Sequence, residues 1–420
     1  MKVTKIGIPV VVVMLVIALV IGGCAKTSVS PTPSAETYKI GVMNSFSFAP
    51  LGLFADNSKK ATDLWAEYFN KAGGVNGHPI ELVYYDDRGD AAAAVTGFTK
   101  LTKEDKVVAI IGPMTSRPCE ALEPYLTGNG PLVVSCTPAA AIKGGGYLYT
   151  SMASNEEGAA IVADILNGWG LKKIGLATDT TSSGDQSLAG MKPEADKLGQ
   201  QLFVERFTPA DVDFTSVLAK LKAAGIQGMM VWTTGAQSVA VVKQAQQLGM
   251  NMPIILSWGS HSYLLLKMLK DINLDKFYML GFSGCTTQLP DNSPQRPYAD
   301  WANKAFDTRY PTEKLEPTFS MLNMDVLAML TSNMQAVGTD PAKMKEWMDT
   351  KVKGMIGLAN LYTYTPTSHN RNAETNLALL LKVKSDLSDL ILQPESQFAG
   401  KSRVKSTMSA WDLIIKQKIQ

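Results

Sequence analysis

The sequence predicts an α/β protein of parallel sheets covered by helices and divided into two lobes. Three observations carry this. Short apolar runs alternate with stretches of helical period along much of the chain. At 420 residues it exceeds the roughly 250–300 residues at which single cores stop growing. Its composition, 45% apolar and 19% charged, is globular rather than disordered.

The N-terminus stands apart from that pattern. Lys2 and Lys5 precede an apolar run from Ile6 to Ile21, then Gly22, Gly23 and Cys24. A charged start, a short apolar run and small residues make a secretory signal. The run is short of the roughly 20 residues a spanning helix needs. Ile21–Cys24 looks like a lipobox, in which Cys24 is lipidated and becomes the first residue after removal of 1–23. Residues 24–36 are rich in Ser, Thr and Pro and read as a flexible tether. The body is thus expected outside the cytoplasmic membrane, held to it through Cys24.

From Tyr38 the elements follow in order. Tyr38–Met43 is strand-like. Ala61, Leu64, Trp65 and Tyr68 give the helical spacing of 56–71, with Asp56 as N-cap and Gly73-Gly74 as the stop. Asn76-Gly77 turns the chain into a strand over Ile80–Tyr85. Further strands are expected at Val107–Ile111, Leu132–Ser135, Ile174–Thr178, Gly228–Trp232 and Ile254–Ser257. Helices are expected over 91–104, 118–127, 156–168, 185–199, 213–224 and 236–249. The alternation pauses near 145–155 and 281–294, both rich in Gly, Ser and Thr, which read as crossings between lobes.

Ligands of open parallel sheets sit beyond the carboxyl ends of the strands. That rule selects Asn44–Phe54, Gly112–Arg117, Cys136–Ala141, Asp179–Gly184, Thr233–Gly235 and Ser257–Ser260. Thr115, Ser116, Ser183, Thr233 and Thr234 supply hydroxyls; Phe46, Phe48, Phe54 and Trp258 supply aromatic surface. Ser116 stands where a strand ends and a helix opens. It either caps the helix or joins the local N–H groups and Arg117 in holding an anion.

Other chemistries find little support. Forty Lys+Arg against 38 Asp+Glu give no basic stripe for nucleic acid. Three His and four Cys are too scattered for a metal site or disulfide framework. Gly281–Cys285 misses the G-x-S-x-G elbow at its last position, and Gly144–Gly146 is no dinucleotide loop. No enzyme activity, cofactor or metal is expected, His is expected to be structural, and the 20 Met fill the core.

Several segments resemble the periplasmic leucine/isoleucine/valine-binding protein family. They are Asn70–Gly77 with Ile80–Asp87, Val108–Ser116, Val133–Ala141 and Ala210–Gly235. The likeness implies two doubly wound parallel-sheet lobes joined by three crossings, the type I periplasmic-binding-protein fold. Lobe one would be 37–154 plus 284–358 and lobe two 155–283 plus 359–395, with the third crossing near Gly357–Thr363. Residues 396–420 would pack on the lobes as an extension. It also implies a monomeric substrate-binding protein that delivers a small molecule to ABC permease and ATPase subunits.

By the resemblance, Ser116 and the Ala141 backbone match groups that hold an amino acid's carboxylate. Ala139, Ala141 and Trp258 fall where the family holds the ammonium, so a Thr has become Ala and a Glu has become Trp. Ser183 and Gly235 fall where the family has Tyr. A ligand lacking an α-ammonium is expected, an apolar or aromatic carboxylate against Phe46, Phe48 and Phe54. A branched-chain amino acid, an amide or urea-like ligand, or a sensor role for a membrane receptor are the alternatives. The family's disulfide is not reproduced near Gly89. Cys119 and Cys136 could pair or remain buried thiols.

Overall fold

The computed structural model describes residues 36–48, 51–137, 142, 144–282, 295–369, 378–388, 390–392 and 408–409. The signal segment, most of the tether, Cys24, the expected second crossing and nearly all of 396–420 lie outside the described residues.

The first sheet contains β1 (Tyr38–Asn44), β2 (Ile80–Asp86), β3 (Ala109–Ile111), β4 (Leu132–Ser135) and β5 (Leu148–Thr150). Their order is β2-β1-β3-β4-β5, and every neighbouring pair is parallel. β3, β4 and β5 are wholly buried. This is why β3 and β4 read as unbroken apolar runs instead of alternating. β5 lies inside the 145–155 stretch read as a pause; three residues among glycines leave little pattern.

Helices α1 (Gly52–Lys71), α2 (Ala91–Thr99) and α3 (Ser116–Leu122) connect these strands. α1 begins before the expected Asp56. Leu51 holds its N-cap position, and Asp56 pairs instead with Lys60 at 2.6 Å. The helix stops where expected: a Cβ on Gly74, at φ +63°, would lie 2.2 Å from the His78 carbonyl oxygen. The expected helix over 91–104 ends as a π turn at Lys100–Glu104, and that over 118–127 as a 3-10 turn at Glu123–Tyr125.

Next come α4 (Asn155–Gly168), β6 (Lys173–Asp179), α5 (Ser182–Lys197), β7 (Gln201–Phe207) and α6 (Thr215–Ala223). They are followed by β8 (Gly228–Trp232), α7 (Ala236–Gln247), β9 (Ile254–Leu256), α8 (Tyr263–Leu266) and β10 (Phe277–Phe282). Strands β7 and β10 are absent from the sequence reading; β7 is a half-exposed edge strand whose short Leu202–Val204 run is broken by Glu205 and Arg206. The chain continues through α9 (Arg296–Arg309), α10 (Phe319–Val337), α11 (Pro341–Lys351), β11 (Lys353–Ile356) and β12 (Leu361–Thr363). β13 (Ala378–Val383) and β14 (Leu390–Leu392) then complete a second sheet, ordered β14-β13-β10-β9-β8-β6-β7. β6 to β10 pair in parallel, whereas β13 and β14 are antiparallel additions. A small sheet joins β12, β11 and β15 (Met408–Ser409).

α10 is buried all round from Phe319 to Met334, and its polar residues bond internally, such as Asn323 with Ser58 and Asp325 with Tyr362. It packs on α1 and β3, and Trp65 Nε1 donates to Tyr298 Oη at 3.1 Å to bring α9 to the same side. Many of the methionines, including Met321, Met324, Met329 and Met334, fill this core. Among the described residues no helix is long and apolar enough to cross a membrane.

The segment expected as the third crossing, Gly357–Thr363, is bonded on the first-sheet side. Asp325 on α10 accepts from Ala359 N at 2.8 Å and from Tyr362 Oη at 2.7 Å. Tyr364 Oη donates to Thr150 O at 2.9 Å, and Thr150 N to His369 O at 3.0 Å. These bonds keep the chain beside the first sheet as far as His369.

Cys119 and Cys136 are buried free thiols, and burial pushes both up to about 12. Cys136 Sγ donates to Asn323 Oδ1 at 2.8 Å. His78 stacks on Tyr38 at the edge of β1, while His261 and His369 are buried.

Candidate functional site

The carboxyl ends of both sheets meet at one cleft of about 380 Å³, the size of a small-molecule site. Phe48, Leu51, Gly89, Met114–Pro118, Thr137, Met152 and Asn155 line it from the first sheet and its connections. Asp179–Ser183, Pro209, Trp232–Thr234, Gln237 and Ser257–Gly259 line it from the second, and Phe319 at the start of α10 closes one side.

Local backbone places the hydroxyls. Gly112 ends β3 at φ +99°, and a Cβ there would lie 1.9 Å from the Met43 carbonyl oxygen. Only glycine lets β3 turn this close to β1. The turn presents Thr115 at the N-cap position of α3, with no side-chain capping bond. Ser116 follows within the first turn and does not cap the helix. Its Oγ lies 3.3 Å from Thr137 Oγ1, and the residue is buried. Thr115 Oγ1 lies 3.4 Å from Ser45 Oγ. Arg117, beside them, makes no ion pair among the described residues and lines the cleft.

Asp179 is the one carboxylate among the described lining residues. Its Oδ1 accepts from Thr181 N at 3.0 Å and from the Thr181 hydroxyl.

Two tryptophans form the second-sheet wall. Their rings meet edge-on, 5.5 Å apart at 72°. Trp258 is 2% exposed and wedges against α4: a Cβ on Gly158 would lie 2.4 Å from Trp258 Cη2. Trp258 Nε1 reaches Asn155 Oδ1 at 3.4 Å. Asn155 Nδ2 donates to Ser183 Oγ at 3.0 Å and to Gln186 Oε1 at 2.8 Å, and Trp232 Nε1 also donates to Ser183 Oγ, at 3.0 Å.

Of the residues expected from the sequence, Thr115, Ser116, Ser183, Trp258 and Phe48 come together here. Phe46 does not: it packs edge-on against Tyr84, 5.8 Å away. Nor does Phe54, which the early start of α1 turns into the core against Phe319 at 5.8 Å. Gly235 holds the N-cap of α7 at φ +63° and is not among the lining residues. Ala139 and Ala141 lie outside the described residues.

Met152, Asn155, Pro209, Gln237 and Phe319 are among the lining residues that the strand-end rule does not select. Asn155 follows Ser154, whose Oγ accepts from Glu157 N at 3.2 Å. This Ser-x-x-Glu start was a readable helix signal. Phe319 comes from far along the chain with no motif around it. Among the described residues no cluster of His, Cys, Asp and Glu could hold a metal ion.

Two α/β sheets whose strand ends share one polar-and-aromatic cleft define a solute-binding class of protein. The sequence pattern of the periplasmic binding protein family matches residues 37–380, and the chain belongs to that family. It is 25% identical over 339 residues to the leucine-, isoleucine-, valine-, threonine- and alanine-binding protein of Pseudomonas aeruginosa, covering 78% of this chain and 85% of that one. It is 25% identical over 211 residues to a Leu/Ile/Val-binding protein homolog of Brucella melitensis. That match spans 49% of this chain and only 57% of the relative. A fatty acid ABC transporter substrate-binding protein from Thermomonospora curvata superposes with a TM-score of 0.73 at 19% identity, over 86% of this chain and 94% of that one. The fold is the expected type I α/β fold. The relatives are binding proteins of transport systems, not enzymes.

Proposed function

We propose that this chain is an extracytoplasmic lipoprotein that captures a small apolar or aromatic carboxylate without an α-ammonium and delivers it to an ABC importer. The charge inventory of the cleft carries the reading. Among the described residues Arg117 makes no ion pair and stands beside the Ser116 and Thr115 hydroxyls, whereas the one described acid of the lining, Asp179, has Oδ1 engaged by Thr181. An ammonium seated away from Asp179 would lack an acid, at a cost of several kcal/mol. Trp258 stands where, by resemblance, amino-acid binders keep theirs. Leu51, Phe48, Phe319 and the two tryptophans offer apolar surface to the rest of the ligand. A neighbour in fold is described as a fatty acid binder, so this architecture accommodates such a carboxylate.

The lobes would be 37–154 with 284–358 and 155–283 with 359–395, closing about their crossings as a monomer. The closed form is what permease and ATPase subunits would distinguish. The Cys24 lipid would hold the body at the membrane, and an unmodified Cys24 in the membrane-bound protein by mass spectrometry would refute the anchor.

Calorimetry with phenylpropionate against phenylalanine tests the ligand class. Tighter binding of phenylalanine would overturn it and return the cleft to amino acids, with Asp179 as the ammonium's partner. If neither binds, neutral amides and urea-like ligands replace carboxylates.

A further inference from the structure

We infer that Ser183 reads a hydrogen-bond acceptor on the ligand, so the cleft selects a carboxylate with a second accepting oxygen at its end facing the second sheet. The inference rests on the carboxylate reading proposed above and sharpens it.

A run of side chains joins Glu120 to Trp258, and both ends have a fixed sense. The Glu120 carboxylate accepts from Ser182 Oγ at 2.7 Å and Gln186 Nε2 at 3.2 Å. A carboxylate has no hydrogen to give, so Gln186 must turn its nitrogen toward it. Gln186 Oε1 is thereby left to accept from Asn155 Nδ2 at 2.8 Å. Asn155 Oδ1 then faces Trp258 Nε1 at 3.4 Å, an indole N–H that can only donate. Each amide thus has one consistent orientation out of two.

The second hydrogen of Asn155 Nδ2 goes to Ser183 Oγ at 3.0 Å. Trp232 Nε1, another obligate donor, reaches the same oxygen at 3.0 Å. Ser183 Oγ therefore receives two hydrogens, one for each lone pair. Its own hydrogen has no acceptor among the described residues, and the side chain lines the cleft. A hydroxyl whose lone pairs are filled can only donate. A keto, ether or carboxyl oxygen of the ligand satisfies it; an N–H or methylene at that place does not.

4-Oxo-4-phenylbutyrate and 4-phenylbutyrate differ by one carbonyl on a shared carboxylate skeleton. In calorimetric titration of the full chain, the keto acid should bind about 3- to 10-fold tighter. Ser183→Ala should bring it down to the level of 4-phenylbutyrate. Equal affinities in the unaltered protein, or a gap that survives Ser183→Ala, would overturn the inference. Should Ser183→Ala not fold, Trp232→Phe frees one lone pair and should narrow the gap; an unchanged gap there overturns it too. The corresponding amides separate this inference from the carboxylate reading. A keto advantage among amides, with neither acid bound, keeps the role of Ser183 and discards the carboxylate. No binding by any of the four overturns both.

Discussion

The Glu120 carboxylate of α3 accepts the Ser182 hydroxyl of α5 at 2.7 Å, joining a helix of the first sheet to one of the second. Gln186, one turn along α5, donates to the same oxygen at 3.2 Å. The bridge lies beside the cleft, and through Gln186, Asn155 and Ser183 it is continuous with the tryptophan wall. It holds the two sets of strand ends face to face at this spacing, as the proposed closed form would require.

Glu120→Ala should therefore loosen closure without altering selectivity. A hydrogen bond to a charged group contributes roughly 1.5–3 kcal/mol, less where water reaches it. Apparent affinity falls with the fraction of closed molecules. Phenylpropionate should bind about 3- to 30-fold more weakly, mainly through faster dissociation in stopped-flow, with the ranking of ligands kept. An unchanged dissociation rate would show that the bridge does not hold the cleft shut.

Ser116→Ala removes the hydroxyl nearest Arg117 in sequence and opposite Thr137 Oγ1. If it bonds the ligand's anionic group, affinity for phenylpropionate should fall about 10- to 100-fold. Phenylpropionamide, which carries no charge, should lose less. The melting temperature should barely move. Equal losses for acid and amide in calorimetry would place Ser116 in the cleft's structure rather than on the carboxylate.

Gly158→Ala places a methyl 2.4 Å from Trp258 Cη2. The Trp258 ring is buried and cannot swing aside freely. Overpacking of this kind costs about 1–3 kcal/mol. The ring should shift and stretch its bond to Asn155, changing tryptophan fluorescence and weakening ligand binding as well as stability. Wild-type fluorescence and affinity in the variant would mean that α4 yields instead of Trp258.

What the sequence made legible follows from where its signals are local. Central strands such as β3, β8 and β9 carry unbroken apolar runs, and the loops after β3, β6 and β9 hold Thr115, Ser116, Ser183 and Trp258 in the cleft. The same rule overreached at Phe54, because an N-terminal extension of α1 reverses which way that ring faces. The half-exposed edge strand β7 carries only the short Leu202–Val204 run before Glu205 and Arg206, a weaker signal. The hold of α10 on the segment after β11 depends on Asp325 gripping the backbone at Ala359, a contact between residues 34 apart in sequence that no local pattern records. Phe319 reaches the cleft for the same non-local reason, through packing of α10 on α1.

The last prediction concerns acid stability where the chain leaves the first sheet. Asp349 on α11 is buried. Burial pushes its carboxyl up, but bonds from His369, Lys345 and Tyr149 outweigh this and bring it down to about 2. Tyr149 Oη donates to Oδ1 at 2.8 Å, Lys345 Nζ lies 2.6 Å from Oδ2, and His369 Nε2 lies 2.9 Å from Oδ1. His369 also stacks on Tyr149, with centroids 3.8 Å apart. Together they pin β5 to the chain at His369, the last described residue before β13. Because the folded value lies below the ordinary 3.8, the unfolded chain binds the proton more readily. The ionised carboxylate thus contributes stability above about pH 4, and that contribution drains away as pH falls toward 2. The shift corresponds to about 2 kcal/mol. Asp349→Asn should destabilise the protein at pH 7 by about 2–3 kcal/mol, because it leaves the half-buried Lys345 ammonium and the Tyr149 hydroxyl short of their acceptor. In urea unfolding, the advantage of the unaltered protein over Asp349→Asn should stay level from pH 7 to 5. It should then shrink by about 2 kcal/mol on going to pH 2.5. An advantage independent of pH across that range would mean that Asp349 is not held ionised by these partners.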